Sequence, residues 1–289
     1  MEWPKSTNLG TALMKLIHQG EETKLFVDNY IKWFIENESE QVEKRIAVPF
    51  ERSDDPEKEF LRFAYRYTIL RERFFDDRIE DAIHRGYQQV LLLGSGYDTR
   101  ALRLSSIRAN NISVIEVDTP ATIDRKRCIL ETKMGALPDH LTFVPLDFSR
   151  DDLATAFREH VRDDLKTICV WQGVSYYLTS ETVSSVLDAI VAFTQSGTLL
   201  GFDCCTPLML ETNEEIPGID FNIKRLEEIG EPYRFGIYES KMVTLLQEKG
   251  YRTQLISTQA EIEVEYLRET TLPNKMWYVV MAENAKSSA

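Results

Sequence analysis

The residues best suited to chemistry fall at the ends of short apolar runs. Val90-Leu91-Leu92-Leu93 leads into Gly94-Ser95-Gly96-Tyr97-Asp98-Thr99-Arg100. A glycine pair where a strand turns into a helix lets a ligand approach the backbone closely. The spacing stops short of the dinucleotide fingerprint, because Gly94, Gly96 and Thr99 occupy its three glycine places. No G-x-x-x-x-G-K-[ST] loop is present, which excludes that way of cradling ATP. Ile115-Glu116-Val117-Asp118 follows, and an acid at the tip of a second strand can accept both hydrogens of a ribose diol. In Val144-Pro145-Leu146-Asp147-Phe148, Asp147 could accept from an adenine amino group while the neighbouring backbone reaches the ring. Each acid alone reads as a solvated strand end. Taken in order, the three strand tips imply a nucleoside ligand.

These tips need a sheet to align them, and from residue 88 onward the chain alternates accordingly. Strands are expected at Ile112–Val117, Leu141–Pro145, Thr167–Trp171, Thr198–Phe202, Arg252–Ser257 and Met276–Met281. Helices are expected at Pro120–Met134, Asp151–His160, Ser180–Thr194 and Ser240–Lys249. This is the rhythm of an α/β, doubly wound sheet, with the last two strands as an antiparallel edge pair. Residues 1–86 read as an N-terminal helical cap. It contains helix over 6–46, a helix from Pro56 through Leu70, and another over about Phe74–Arg85 that ends at Gly86. Residues 87–289 form the sheet domain. Within it, 204–238 breaks the rhythm with Pro207, Pro217, Gly218, Gly230, Pro232 and Gly236, and is expected as a lid inserted over the sheet.

Other chemistries find little support. His18, His84, His140 and His160 are scattered and read as surface residues, with no His-Asp or Cys-His dyad. Cys128, Cys169, Cys204 and Cys205 form no C-x-x-C pair, so no metal site is expected. Adjacent Cys204 and Cys205 are poorly spaced to bridge each other. Cys169, inside the run TICVW, reads as a buried thiol. A net charge of -13 argues against a general nucleic-acid binder, which needs a basic face. With no apolar signal core at the N-terminus and no run of about 18 apolar residues, a cytoplasmic protein outside the membrane is the expectation.

The chain resembles the leucine carboxyl methyltransferase family. The resemblance rests on Arg71-Glu72-Arg73-Phe74-Phe75-Asp76, LLLGSGYDTRALRL (91–104), EVD (116–118), LDF (146–148) and WQGVSYYL (171–178). It spans about Thr11 to Ile190, and its most specific part is the D-T-R-x-x-R-L tail after the glycines. Order and spacing suit the bacterial branch, associated with polyketide carboxyl methylation, better than the enzymes that methylate the C-terminal leucine of protein phosphatases.

The resemblance implies a Rossmann-like methyltransferase sheet and an S-adenosylmethionine (SAM) site. Arg71 matches the arginine that grips the methionine carboxylate, with Arg73 as runner-up. Gly94, Ser95 and Gly96 match the cofactor loop, Asp118 the ribose acid, and Asp147 with Phe148 the adenine pair. Gln172 stands where the family usually has Glu facing the cofactor's amino group. An amide keeps an acceptor but loses the charge, so weaker cofactor binding is expected, and tighter binding if Glu is restored. Tyr176 and Tyr177 could orient a substrate carboxylate, although for Tyr177 packing beneath the following helix is the stronger expectation.

Together these features imply a SAM-dependent O-methyltransferase, forming a methyl ester on a small-molecule carboxylic acid. Two alternatives share parts of the pattern. A nicotinamide-dependent oxidoreductase is disfavoured by the incomplete glycine pattern. A non-catalytic SAM-binding or interaction protein is suggested by Gln172 and the missing base.

Overall fold

Gln89–Leu93 forms a strand (β1) buried along its whole length, as its unbroken apolar run requires. It lies inside one sheet with β2 (Ser113–Asp118), β3 (Leu141–Pro145), β4 (Thr167–Trp171), β5 (Leu199–Cys205), β6 (Tyr251–Thr258) and β7 (Trp277–Asn284). The order is β3-β2-β1-β4-β5-β7-β6. Strands β1 to β5 pair in parallel, and β7 runs antiparallel to both β5 and β6. The last two strands do form an antiparallel pair, but of the two only β6 is an edge, and β7 is interior. The computed structural model describes residues 6–36, 51–273 and 275–286.

Helices cover both faces. Those of eight residues or more are α1 (Thr7–His18), α2 (Pro56–His84), α3 (Pro120–Met134), α4 (Leu153–His160), α5 (Ser180–Phe193), α6 (Ile219–Glu228), α7 (Glu239–Glu248) and α8 (Gln259–Leu267). Alternate strand residues serve opposite faces. Val90, Leu92 and Val114 pack with Phe74 and Ile79, whereas Leu91, Leu93 and Ile115 pack with Val183 and Leu187. No described helix is long and apolar enough to cross a membrane.

Two expectations in the helical regions are corrected. The two helices expected between Pro56 and Arg85 are one, α2, capped by the Asp55 side chain on Glu57 N–H and Lys58 N–H. Arg71-Glu72-Arg73 are good helix formers and break nothing. They blurred the apolar stripe because Arg71 and Glu72 are themselves buried. The helix expected over 6–46 stops at His18, and only a short 3-10 turn, Ile31–Phe34, follows before the end of the described segment; 37–46 lie outside the described residues. Asp28 Oδ1 accepts from Tyr30 N–H and Ile31 N–H, a local bond that competes with helix. Helix α8 was not expected, yet Thr258 and Glu261 form a capping box that is visible as T-x-x-E. Strand β5 also extends through Cys205, so the excursion begins at Thr206.

Candidate active site

β1 pairs with β2 on one side and β4 on the other, so strand order reverses there and a crevice opens beyond the strand ends. A cavity of about 320 Å³ occupies that place. All ten residues singled out from sequence line it: Arg71, Gly94, Ser95, Gly96, Asp118, Asp147, Phe148, Gln172, Tyr176 and Tyr177. Helix α1 closes one wall with Thr7, Asn8, Thr11, Ala12 and Lys15. Arg73 is absent from the lining and instead bonds Asp77 (2.8 Å) and the Leu25 carbonyl (2.7 Å).

The glycine turn is shaped by the groups around it. Gly94 and Gly96 have φ of 62° and 47°. A Cβ on Gly94 would collide with the Val174 side chain, and one on Gly96 would sit 2.7 Å from Asn8 Oδ1. Gly96 N–H donates to Asp118 Oδ2, and Thr119 N–H donates to Oδ1, both at 2.7 Å. Each Asp118 oxygen keeps a second lone pair for a diol. Asp147 anchors its own turn, accepting at Oδ1 from Ser149 N–H (2.9 Å) and Oγ–H (2.6 Å). The Ser149 hydroxyl bond holds its carboxyl below the ordinary carboxylate range.

Arg71 is 5% exposed and borders the cavity from α2. Its Nη1 donates to Asp203 Oδ2 (2.5 Å) and Tyr176 Oη (2.9 Å), while its Nε makes no hydrogen bond. Burial opposes its charge, but Asp203, Tyr176 and Tyr67 overcome that and hold it well above its ordinary value. Asp203 also accepts from Gly173 N–H (2.6 Å), so one buried acid fixes both Arg71 and the turn after β4. Burial, then Asp203, push the Tyr176 phenol well up, and burial pushes Tyr177 up to about 12. Both phenols are therefore neutral donors at physiological pH. Tyr177 does not pack beneath α5 as expected; it borders the cavity and meets the rings of Tyr176 and Tyr233.

Gln172 follows the last residue of β4, as expected, but its side chain is already engaged. Oε1 accepts from Arg100 Nη2 (2.8 Å) and Nε2 donates to Glu72 Oε2 (2.9 Å). It belongs to a buried charge cluster. Glu72 bonds Lys15 (2.8 Å) and Arg103 (2.7 Å), and Arg100 bonds Asp98 and Asp76 (2.7 Å). Arg103 reaches Asp76 as well (2.6 Å). Burial alone would raise Glu72, but Arg100, Lys15 and Arg103 hold it well below the carboxylate range. Charges this deep persist only when paired and hydrogen-bonded. The cluster ties α1, α2 and the D-T-R-x-x-R segment together along the cavity wall, which Lys15, Asp98, Arg100 and Gln172 line. Sequence reasoning noticed Asp98, Arg100 and Arg103 as pattern but assigned them no task, and it passed over Lys15 and Asp203. An acid inside the apolar run LLGFDCC was the available signal for Asp203.

The segment from Thr206 to Tyr238 carries α6 and returns across the strand ends. Thr7 N–H donates to Glu231 Oε2 (2.9 Å), Arg234 N–H donates to the Tyr176 carbonyl (2.7 Å), and Tyr233 packs on Tyr176 with ring centroids 4.6 Å apart. A second cavity lies there, bordered by Phe60, Tyr67, Asn222, Arg225, Tyr233 and Trp277. No histidine or cysteine borders either cavity. His18, read from sequence as a surface residue, is buried, accepting from Leu25 N–H (3.0 Å) and facing Glu21 (2.9 Å). Among the described residues, no three His, Cys, Asp or Glu side chains gather as metal ligands.

Comparison with known proteins gives a consistent family. The model of leucine carboxyl methyltransferase matches residues 8–191, well over half of the chain. YktD of Bacillus subtilis, assigned by its name to the S-adenosyl-L-methionine-dependent methyltransferases, is 25% identical over 84% of this chain and 85% of its own. A Mycobacterium tuberculosis protein with the same assignment is 32% identical over 73% of this chain and 67% of its own. Among solved structures, a duf574 family protein from Streptomyces avermitilis shares the fold with a TM-score of 0.60. It is 12% identical, and the match covers 95% of this chain and 97% of that one.

Proposed function

Because this chain belongs to the leucine carboxyl methyltransferase family and is an S-adenosylmethionine-dependent methyltransferase, we propose that it forms a methyl ester on the carboxylate of a small-molecule acid. The observation that carries the site assignment is the convergence on one cavity of Gly94–Gly96, Asp118 and Asp147 with Phe148, from the ends of the neighbouring strands β1, β2 and β3, with Arg71 from α2.

The residues fit the cofactor. The glycine turn borders the cavity with bare backbone, Asp118 offers free lone pairs to the ribose diol, and Asp147 with Phe148 flanks the place for adenine. Arg71 borders the cavity, where its guanidinium would hold the methionine carboxylate, and Gln172 Oε1 has one lone pair left for the amino group. Bound there, the cofactor supplies an electrophilic methyl group, and a carboxylate acceptor is already ionised at neutral pH, so no base is required. The chain's work is to orient and exclude water. Tyr176 and Tyr177 hold phenolic hydrogens toward the cavity to orient the acceptor. The segment 206–238 and α1 act as the lid over the reacting end.

Calorimetric titration with S-adenosylhomocysteine and, separately, NADPH tests the cofactor site. Incubation with SAM and a panel of acids, read by mass spectrometry for base-labile methyl esters, tests the reaction. Methyl groups found only as base-stable ethers or amines would refute the ester reading.

A further inference from the structure

The second cavity adjoins the first, and Thr7, Thr11, Arg71, Tyr176 and Tyr177 border both. Its volume is about 80 Å³. An engineered apolar cavity that admits benzene is about 150 Å³, so this one suits a short chain better than a ring. Two polar side chains in its wall have no task in the reading above. Asn222 is 2% exposed, and its Nδ2 has no hydrogen-bond partner. Buried donors without a partner are rare, and Asn222 belongs to the wall of this cavity. Arg225 lies one helical turn further along α6, on the same side. Burial lowers it from its ordinary value, against Tyr233, Tyr177 and Glu231. Helix α6 is held in place at its start, since a Cβ on Gly218 would strike the Pro56 carbonyl.

We propose that this second cavity is the acceptor subsite, where Asn222 and Arg225 hold the carboxylate of a short-chain aliphatic acid. The proposal rests on the methyl-ester reading and gives it a substrate class. A carboxylate has two coplanar oxygens, which suit one amide N–H and a guanidinium fork. Phe60, Tyr67, Tyr233 and Trp277 supply apolar walls for the chain. Tyr177 neighbours both Arg225 and Arg71, so an acid held there presents an oxygen at the wall shared with the first cavity. In the transfer, that oxygen's lone pair forms the new bond to the methyl carbon as the carbon–sulfur bond breaks, its electrons staying on sulfur. The carboxylate and sulfonium charges cancel, and no proton moves.

Calorimetry on the S-adenosylhomocysteine complex tests this with butanoate, benzoate and butanamide. Butanoate should bind at least about tenfold more tightly than either of the others. Asn222→Asp, which changes charge but hardly shape, and Arg225→Gln should each weaken butanoate by about 10- to 100-fold, while S-adenosylhomocysteine affinity stays within about twofold. Should Asn222→Asp fail to fold, Asn222→Ser takes its place with the same expectation. Cofactor binding without butanoate binding, a preference for benzoate, or butanoate affinity indifferent to both substitutions would each overturn the subsite. Methyl esters formed on an acid whose binding ignores both substitutions would overturn the subsite alone. Methylation confined to non-acid acceptors would overturn the ester reading beneath it.

Discussion

Replacing Gln172 by Glu separates two accounts of this position. If the side chain served the cofactor's ammonium alone, a carboxylate there would tighten SAM binding. The hydrogen bonds lead to the opposite expectation. Gln172 Nε2 donates to Glu72 Oε2 at 2.9 Å, and Glu cannot donate when ionised. The loss of a bond to a charged acceptor costs about 1.5–3 kcal/mol, and two carboxylates in contact add to it. Arg100 compensates in part, because it already serves both residues. At about 2–4 °C per kcal/mol, the melting temperature of Gln172→Glu should fall by about 3–12 °C at pH 8. The introduced carboxyl, facing Glu72, has its folded pKa raised. Its penalty is therefore complete above that value and fades as pH falls toward the ordinary carboxylate value of about 4.3. Calorimetric melts at pH 8 and pH 5 read this directly. The swap Glu72→Gln/Gln172→Glu keeps one carboxylate and one amide in contact, so it should be more stable than the sum of the two single changes by about 1 kcal/mol or more. A Gln172→Glu variant as stable as the parent and binding SAM more tightly would refute the reasoning.

Asp118→Asn keeps an acceptor for the Gly96 amide but weakens the grip on a diol, and should reduce SAM affinity by about 1.5–3 kcal/mol in calorimetry; unchanged affinity removes Asp118 from the site. Asp203→Asn leaves Arg71 buried without its counter-charge and should cost about 3–5 kcal/mol in urea denaturation, and a cost below about 1 kcal/mol would contradict the pairing described. Burial raises Glu116 to about 7 against the pull of Lys126. With the folded value raised, its contribution to stability is complete below the ordinary carboxylate value and is lost as pH rises through about 7. Urea midpoints should thus fall between about pH 5 and 8 in the parent and lose that slope in Glu116→Gln; identical slopes would refute it.

Strands were the most legible part of the sequence, because those buried on both faces leave uninterrupted apolar runs. Thr167–Trp171, buried throughout, appears with the limits expected, as does the half-exposed edge strand Leu141–Pro145. Helix α2 was illegible as one element because its buried face carries Arg62, Arg71, Glu72 and Asp76, which break an apolar pattern without breaking a helix. The cavity residues were legible because strand tips have a fixed address. The orientation of Gln172 was not, since it depends on Glu72 and Arg100, 100 and 72 positions away in the chain. Asn222 and Arg225 were equally hidden, lying in a segment whose rhythm matches no regular pattern.

The place of β7 also constrains how the molecule is assembled during synthesis. In the finished sheet β6 pairs only with β7, and β7 alone covers the outer side of β5. Translation makes β5 and β6 first, yet neither can complete its ladder until Trp277–Asn284 leaves the ribosome. Until then both present open edges of backbone donors and acceptors, the template on which chains join one another. None of the parallel strands β1 to β4 pairs with β6 or β7. A nascent chain halted before residue 277 should therefore hold an unsealed sheet, and should need a chaperone more than one in which Trp277–Asn284 has emerged.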